Sequence, residues 1–214
     1  MPKTVRVAVG DETTTATSYA AKRGRATLVL AHGAGAGQKH AFMVRFAKAI
    51  AARGVDVVTF DFLYIARKKK LPDRNDALEA CWRAVIAKTK GRPLFIGGKS
   101  MGGRIATQVA AAGDAPIAGV VCLGYPLHPP GRPEKLRVEH LPKVRVPVLF
   151  CQGERDAFGT PAELRPWAKK MHDARIVAIE GDHSFAVTKR ASQDDVYARA
   201  VDAIVTWIDG SPGD

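Results

Sequence analysis

The sequence predicts an α/β protein, a three-layer α/β/α sandwich built on a mostly parallel, twisted sheet. Two observations predict it: short apolar, β-branched runs recur along the chain, and amphipathic helical patterns separate them. Apolar runs of this kind are typical of parallel strands buried on both faces, and the intervening helices imply right-handed crossovers. A third observation is the length of 214 residues, from which we expect a single domain over 1–214.

The first predicted strand is a run of alternating apolar and polar residues, and the later ones are continuous apolar runs. Residues 3–9 alternate with a period of two, which predicts a half-exposed strand near one edge of the sheet. Six further runs predict strands buried on both faces, at 26–32, 55–62, 93–99, 118–125, 146–153 and 174–181.

Apolar stripes with helical spacing lie between the strands, and we interpret each as a helix packed on the sheet rather than as a cofactor site. The stripes are Phe42, Phe46 and Ile50; Leu78, Cys81, Trp82 and Val85; Leu164, Trp167, Ala168 and Met171; and Val196, Ala200, Ala203, Ile204 and Trp207.

Composition and charge restrict the partners that we expect. The chain has no apolar stretch long enough for a signal peptide or a membrane span, which predicts a cytoplasmic protein without a membrane partner. The net charge of +12, with its densest run at 67–70, is interpreted as a solvated surface. Attraction of anionic substrates is the alternative, whereas nucleic acid is an unlikely partner because no nucleic-acid motif is present. Cys81, Cys122 and Cys151 form no motif and predict buried packing residues.

The segment PLFIGGKSMGGR carries the strongest functional pattern. Gly98-Lys99-Ser100-Met101-Gly102 is a G-x-S-x-G where an apolar strand gives way to a helical pattern. This context predicts a sharp turn, a nucleophile elbow, that presents the Ser100 hydroxyl at a helix N-terminus. A glycine-rich phosphate-binding turn is the alternative, but the spacing of a P-loop is absent.

The segment HGAGAG follows a predicted strand and supplies small residues at the same edge of the sheet. Acyl transfer requires backbone N–H donors for the oxyanion, and we expect them to be those of Ala34 and Met101. His32 is interpreted as a structural histidine that shapes this loop.

A serine nucleophile requires a base and an acid that orients it, and both are found after Ser100. Asp156 follows the predicted strand at 146–153, and Glu154 is its rival, although Glu154 is closer to the strand end. His183 follows the predicted strand at 174–181 and comes after the acid, as the order serine, acid, histidine requires. His40 and His172 fall in helical patterns, and His128 and His140 in the proline-rich segment 125–147.

These residues resemble the α/β-hydrolase superfamily, in particular its small dienelactone-hydrolase-like members. Within that group the chain resembles testis-expressed α/β-hydrolase-like proteins and a subunit of the nonspecific-lethal chromatin complex. The resemblance is carried by HGAGAG, GGKSMGGR, GYPLHPPGRPEKLRVEHL, QGERDAFG and GDHSF. It implies a mostly parallel sheet and esterase-like chemistry without a cofactor. Dienelactone hydrolases use a cysteine nucleophile where this chain has Ser100, so lactone specificity is not carried over.

The first hypothesis is therefore a serine hydrolase acting on a carboxylic ester or thioester. A catalytically weak binding or scaffold module is the second, and an acyltransferase or perhydrolase with the same three residues is the third. Because 125–147 is too short for a large lid, we expect a shallow, open pocket for small acyl groups. Lys99, Arg104 and the run at 67–70 favour anionic esters if they face this pocket.

Overall fold

Eight strands form one open sheet in the computed structural model, which describes residues 1–89, 93–188 and 192–211. The strands are β1 (Lys3–Val9), β2 (Glu12–Tyr19), β3 (Thr27–Ala31), β4 (Asp56–Phe60), β5 (Leu94–Lys99), β6 (Gly119–Leu123), β7 (Val148–Gly153) and β8 (Ala174–Ile179). Their order in the sheet is β1-β2-β4-β3-β5-β6-β7-β8. All pairings from β4 to β8 are parallel, whereas β2 is antiparallel to both β1 and β4. The predicted mostly parallel sheet is confirmed.

Helices cover both faces of the sheet and enclose two separate apolar cores. They are α1 (Ala41–Ala52), α2 (Leu63–Ala66), α3 (Asn75–Lys88), α4 (Met101–Ala112), α5 (Pro161–Ala168) and α6 (Gln193–Gly210), with a 3₁₀ turn at Leu141–Lys143. The apolar sides of α1 and α6 belong to one core, and those of α3, α4 and α5 belong to the other. The predicted three-layer sandwich is therefore confirmed.

The two edges of the sheet differ from the sequence prediction. Residues 3–9 form an edge strand as predicted, but its neighbour β2 was not predicted, because its sequence ETTTATSY has no apolar run. At the opposite edge, the prediction that 174–181 is buried on both faces is wrong. Strand β8 pairs only with β7, and Arg175 and Ala178 are exposed.

The proline-rich segment between β6 and β7 lies at the carboxyl edge of the sheet. Residues 124–147 contain no helix except the 3₁₀ turn, so no helical lid is inserted there. None of the helices in the described ranges is long and apolar enough to cross a membrane. The single domain over 1–214 stays a prediction, and residues 90–92, 189–191 and 212–214 of it lie outside the described residues.

Candidate active site

Ser100 lies in a sharp turn between β5 and α4. Its backbone has φ 50° and ψ −115°, a positive φ that side-chain-bearing residues seldom adopt. The flanking glycines make the turn possible, because a Cβ atom on Gly102 would lie 2.7 Å from the carbonyl carbon of Ala31. A Cβ atom on Gly98 would meet the same residue. The turn predicted from the G-x-S-x-G pattern is thus present, with Ser100 at the N-cap of α4.

The three side chains predicted from separate strand ends are joined by two hydrogen-bond contacts, both made by His183. The Nε2 atom of His183 is 2.8 Å from the Oγ atom of Ser100. The Nδ1 atom of His183 is 2.8 Å from Oδ2 of Asp156. This arrangement can move a proton from the hydroxyl to the imidazole while the carboxylate orients the ring.

Asp156 is held in place by a neighbour on its own loop and by a side chain from the end of β7. It is 2% exposed, and its Oδ1 atom accepts a hydrogen bond from the amide of Phe158 at 2.8 Å. Its Oδ2 atom accepts a second one from Nε2 of Gln152 at 3.0 Å. Glu154, the rival acid, is exposed, and its described contact is the backbone bond from its amide to the carbonyl of Ile179. The geometry therefore favours Asp156 as the partner of His183.

His183 is also fixed by Lys99 and by a neighbouring aromatic ring. The Nζ atom of Lys99 donates a hydrogen bond of 2.7 Å to the backbone carbonyl of His183. The rings of His183 and Phe158 are 4.2 Å apart between centroids. Burial lowers the pKa of Lys99 to about 8, although the carboxylates of Asp156 and Asp182 oppose this shift.

His32 positions the loop after β3. Its ring is fully buried, and burial lowers its pKa, which favours the neutral form. Because Nε2 accepts from the amide of Phe62 at 3.2 Å, Nδ1 carries the proton and donates to the carbonyl of Gly33 at 2.8 Å. The Gly33 carbonyl and the Ala34 N–H group belong to one planar peptide. The His32 bond therefore orients the Ala34 amide, consistent with the structural role expected for this histidine.

A cavity of about 760 Å³ surrounds Ser100 and His183. Ala34 and Met101, the expected oxyanion donors, both line it, and Met101 is the first residue of α4, where backbone N–H groups have no acceptor within the helix. Side chains from both helical layers and from 126–137 line the cavity, and the shallow, open shape stays a prediction. Lys99 and Arg104 line the cavity, but the run at 67–70 does not.

None of the remaining histidines and cysteines has a described contact with these three side chains. His40 is the N-cap of α1 and lines the cavity, and His172 follows α5 instead of lying in a helix. His140 bonds to Thr107 at 2.8 Å, and burial lowers its pKa to about 4. The three cysteines are buried as expected, and burial raises the pKa of each thiol. Among the described residues, no group of three His, Cys, Asp or Glu side chains is arranged to hold a metal ion.

Several residues at the site were missed by sequence reasoning. Gln152, which binds Asp156, is a polar residue inside an apolar strand run, and that exception was an available signal. Phe158 and Arg137 lie in loops without periodic patterns, so the sequence offered no comparable signal for them.

Comparisons with known proteins agree with this fold. A family model described as an alpha/beta hydrolase domain matches residues 24–209. Among solved structures, Est1E from Butyrivibrio proteoclasticus with bound ferulic acid is similar, with 15% identity, coverage of 96% of this chain and 99% of that chain, and a TM-score of 0.76. Dienelactone hydrolase from Anabaena variabilis is also similar, with 19% identity, coverage of 94% of this chain and 95% of that chain, and a TM-score of 0.74.

A third similar structure is an α/β serine hydrolase without a lid from Xanthomonas campestris, with 17% identity, coverage of 99% and 97%, and a TM-score of 0.74. These likenesses to solved structures extend over nearly the whole chain and show its fold. The narrower resemblance to testis-expressed proteins and to a chromatin-complex subunit stays a prediction. Because the family model covers most of the sequence, including the segments that supply Ser100, Asp156 and His183, this chain belongs to the α/β-hydrolase family of enzymes.

Proposed function

We propose that the protein is a serine hydrolase that acts on a carboxylic ester or thioester through Ser100, His183 and Asp156. The observation that carries the proposal is the pair of 2.8 Å hydrogen-bond distances joining Ser100 to His183 and His183 to Asp156. A serine hydroxyl is a weak nucleophile until a base removes its proton, and this geometry provides the base and its orienting acid.

In the first half of the reaction, the Oγ atom of Ser100 attacks the carbonyl carbon of the substrate while Nε2 of His183 takes the hydroxyl proton. The N–H groups of Ala34 and Met101 are the proposed donors to the negative oxygen that forms. The bond to the leaving alcohol or thiol then breaks, and His183 gives it the proton. An acyl group remains on Ser100.

In the second half, water attacks the acyl carbonyl while His183 takes a proton from it. The tetrahedral oxygen is again held by the Ala34 and Met101 amides, and collapse releases the carboxylic acid. His183 then returns its proton to Oγ of Ser100. Asp156 remains ionised throughout and stabilises the imidazolium in both halves.

The structural neighbours support an ester as the bond that is cleaved. A dienelactone is a cyclic ester, and ferulic acid, bound in the Butyrivibrio protein, is a carboxylic acid of the kind that ester hydrolysis releases. An acyltransferase or perhydrolase would share the first half-reaction and differ in the acceptor. The hydrogen-bonded arrangement of Ser100, His183 and Asp156 favours the hydrolase over a binding module, which has no need of it.

The experiment is labelling with a fluorophosphonate, which requires an activated serine but no matching acyl pocket. We expect native protein to be labelled at Ser100, identified by mass spectrometry of the modified peptide. The His183→Ala variant and heat-unfolded protein should react at least about 100-fold more slowly, because the general base is removed or displaced. Labelling that is absent, or that is equal in the His183→Ala variant, would contradict the proposal.

A further inference from the structure

The cavity crosses the carboxyl edge of the sheet and has chemically different ends. On one side of Ser100 its wall comes from α1 and α6, with Phe42, Met43 and Tyr197. On the other side it comes from α3, α4 and the segment after β6, with Arg104 and Arg137. A substrate spanning Ser100 therefore meets a mainly apolar wall on one side, where the Lys99 ammonium lies 5.7 Å from the centre of the Phe42 ring, and guanidinium groups on the other.

Arg104 reaches this second side from α4. It lies four residues after Ser100, so the two residues are on the same face at the start of the helix. Its guanidinium is partly buried, and its described side-chain hydrogen bond goes to the neutral amide oxygen of Asn75 at 3.3 Å. Within the described ranges Arg104 makes no ion pair with a carboxylate, although the charge of Glu79 acts on it.

Arg137 reaches the same side from the segment after β6. Its backbone anchors that segment, since its amide donates to the carbonyl of Leu127 at 2.9 Å and its carbonyl accepts from the Tyr125 hydroxyl at 2.6 Å. Its side chain makes one long contact, 3.5 Å from Nη1 to the carbonyl of Pro126. The backbone thus has the structural role, and the guanidinium has no carboxylate partner in the part of the chain that the structure describes.

Arginines on the outer surface are arranged differently. Several make ion pairs with carboxylates, namely Arg25 with Asp209, Arg45 with Asp194, Arg53 with Asp202, and Arg83 with Glu79 and Asp114. Arg67 pairs with Glu12 and also with Asp73. Asp73 is the one carboxylate among the described residues that line the cavity, and Arg67 already neutralises it.

The positive charges of the two cavity arginines act on each other. Burial lowers the pKa of Arg104 and the positive charge of Arg137 adds to this shift, whereas Tyr125 and Glu79 oppose it. Two guanidinium groups sharing a partly buried space are costly unless an anion lies between them, and such groups bind carboxylate or phosphate oxygens in a bidentate manner.

We propose that Arg104 and Arg137 form a binding site for an anionic group of the substrate, so that the preferred substrates are esters or thioesters that also bear a carboxylate. The Asn75 side chain completes the site from α3. The inference rests on the proposed serine-hydrolase function, because it places the anion in the same cavity as Ser100. The apolar wall with Phe42 and Tyr197 receives the other end of the substrate.

The test compares pairs of esters that differ by one negative charge. The 4-nitrophenyl monoester of adipic acid and its methyl ester place the charge on the acyl side, and 4-acetoxybenzoate and its methyl ester place it on the leaving-group side. We expect the anionic member of at least one pair to have a kcat/KM about 10- to 100-fold higher than the neutral member, as charge-assisted hydrogen bonds imply. Equal kcat/KM values in both pairs would overturn the inference.

Variants separate the two arginines from the general positive field. In Arg137→Met and Arg104→Met the ratio of anionic to neutral kcat/KM should fall about 10-fold or more. Arg132→Met is the matched control, since Arg132 is exposed on the same segment and does not line the cavity, and its ratio should not change. A parallel fall for both esters, or a preference lost equally in Arg132→Met, would overturn the inference. The rate of fluorophosphonate labelling shows that each variant is folded.

Two further measurements, the salt dependence of the preference for anionic esters and the binding of adipate, test the same site. A preference due to direct contacts should persist at about 0.3 M salt, whereas attraction by the net charge alone is screened. Loss of the preference at that ionic strength contradicts the inference.

Adipate binding, measured by isothermal titration calorimetry, should weaken about 10-fold in Arg137→Met and does not depend on turnover. If adipate binding is weakened in Arg137→Met but the wild type is not labelled at Ser100, only the hydrolase proposal is contradicted. If the wild type is labelled at Ser100 but Arg137→Met binds adipate as well as the wild type does, only this inference is contradicted.

Discussion

At the centre of the sheet, the carboxyl ends of β3 and β5 lie so close together that Cβ atoms on Gly98 or Gly102 would meet the backbone of Ala31. At the outer edge, the turn between β1 and β2 contains a glycine with positive φ, Gly10 at 58°, but a Cβ atom there would have no neighbour within 4 Å. Both turns contain a residue with positive φ, Ser100 in the central turn and Gly10 in the outer one, but only the central turn has glycines on which a Cβ atom would overlap a neighbouring strand. Of these two turns, the one where the proposed chemistry takes place is the sterically constrained one.

The largest expected effect is on turnover at the central site. Asp156→Asn should lower kcat for a neutral ester about 10³- to 10⁴-fold, because the amide favours the wrong histidine tautomer. Glu154→Gln is the matched control two residues away, and its kcat should stay within about twofold, because Glu154 is exposed and does not contact His183. Steady-state kinetics on both variants measures the contrast. If Glu154→Gln were the more damaging change, the assignment of the acid would be wrong.

The second effect compares the two glycine turns directly. Gly102→Ala should lower the free energy of unfolding by about 3 kcal/mol, because the added methyl group overlaps the backbone of β3. Gly10→Ala should lower it by only about 1 kcal/mol, the cost of a positive φ without a steric clash. Urea denaturation followed by circular dichroism gives both values. Equal losses would show that close packing against Ala31 does not constrain the central turn.

The smallest expected effect concerns the pH dependence of stability. Burial lowers the pKa of Lys99 to about 8 in the folded protein. In the unfolded chain the pKa of the same side chain is the ordinary lysine value of about 10.5. Between these values the unfolded state binds more protons, so the Lys99 contribution to stability rises with pH. The free energy of unfolding of the wild type, measured relative to that of Lys99→Met, should therefore increase by about 2 kcal/mol between pH 7 and 9.5.

Lys3 of β1 is the matched control for Lys99, because it is an exposed lysine on the outer edge. The Lys3→Met variant and the wild type should keep a constant difference in stability over the same pH range. Denaturation curves at four pH values are sufficient. A constant difference between Lys99→Met and the wild type would show that Lys99 is not desolvated.

Sequence reasoning succeeded where local pattern and burial coincide. The parallel strands from β3 to β7 are buried apolar runs, and Ser100 and Asp156 follow two of them. His183 follows the edge strand β8, which is an apolar run in the sequence although it is partly exposed. Their order along the chain was enough to bring the three together. Strand β2 was missed because threonines form a strand there through pairing with β1 and β4, a contact that no local pattern encodes.

The cavity wall could not be predicted for a similar reason. Arg137 faces Ser100 only because the segment after β6 folds back through backbone bonds to Tyr125 and Leu127. The contact between Lys99 and the carbonyl of His183 joins residues that are far apart in sequence. Polar contacts of this kind depend on loop conformation, which lacks the periodicity of helices and strands.

The position of Ala31 has a consequence for how this protein can change over generations. The backbone at the end of β3 lies against both glycines that flank Ser100, and it continues directly into His32 and the Ala34 loop. The serine turn and the proposed oxyanion loop therefore form one rigid unit, in which a substitution on either side disturbs both. The walls around 72–78 and 126–137 belong to other segments of the chain. New substrate preferences can accordingly arise by exchanging side chains of these walls, and laboratory evolution directed at them leaves the serine turn and the proposed oxyanion loop as they are.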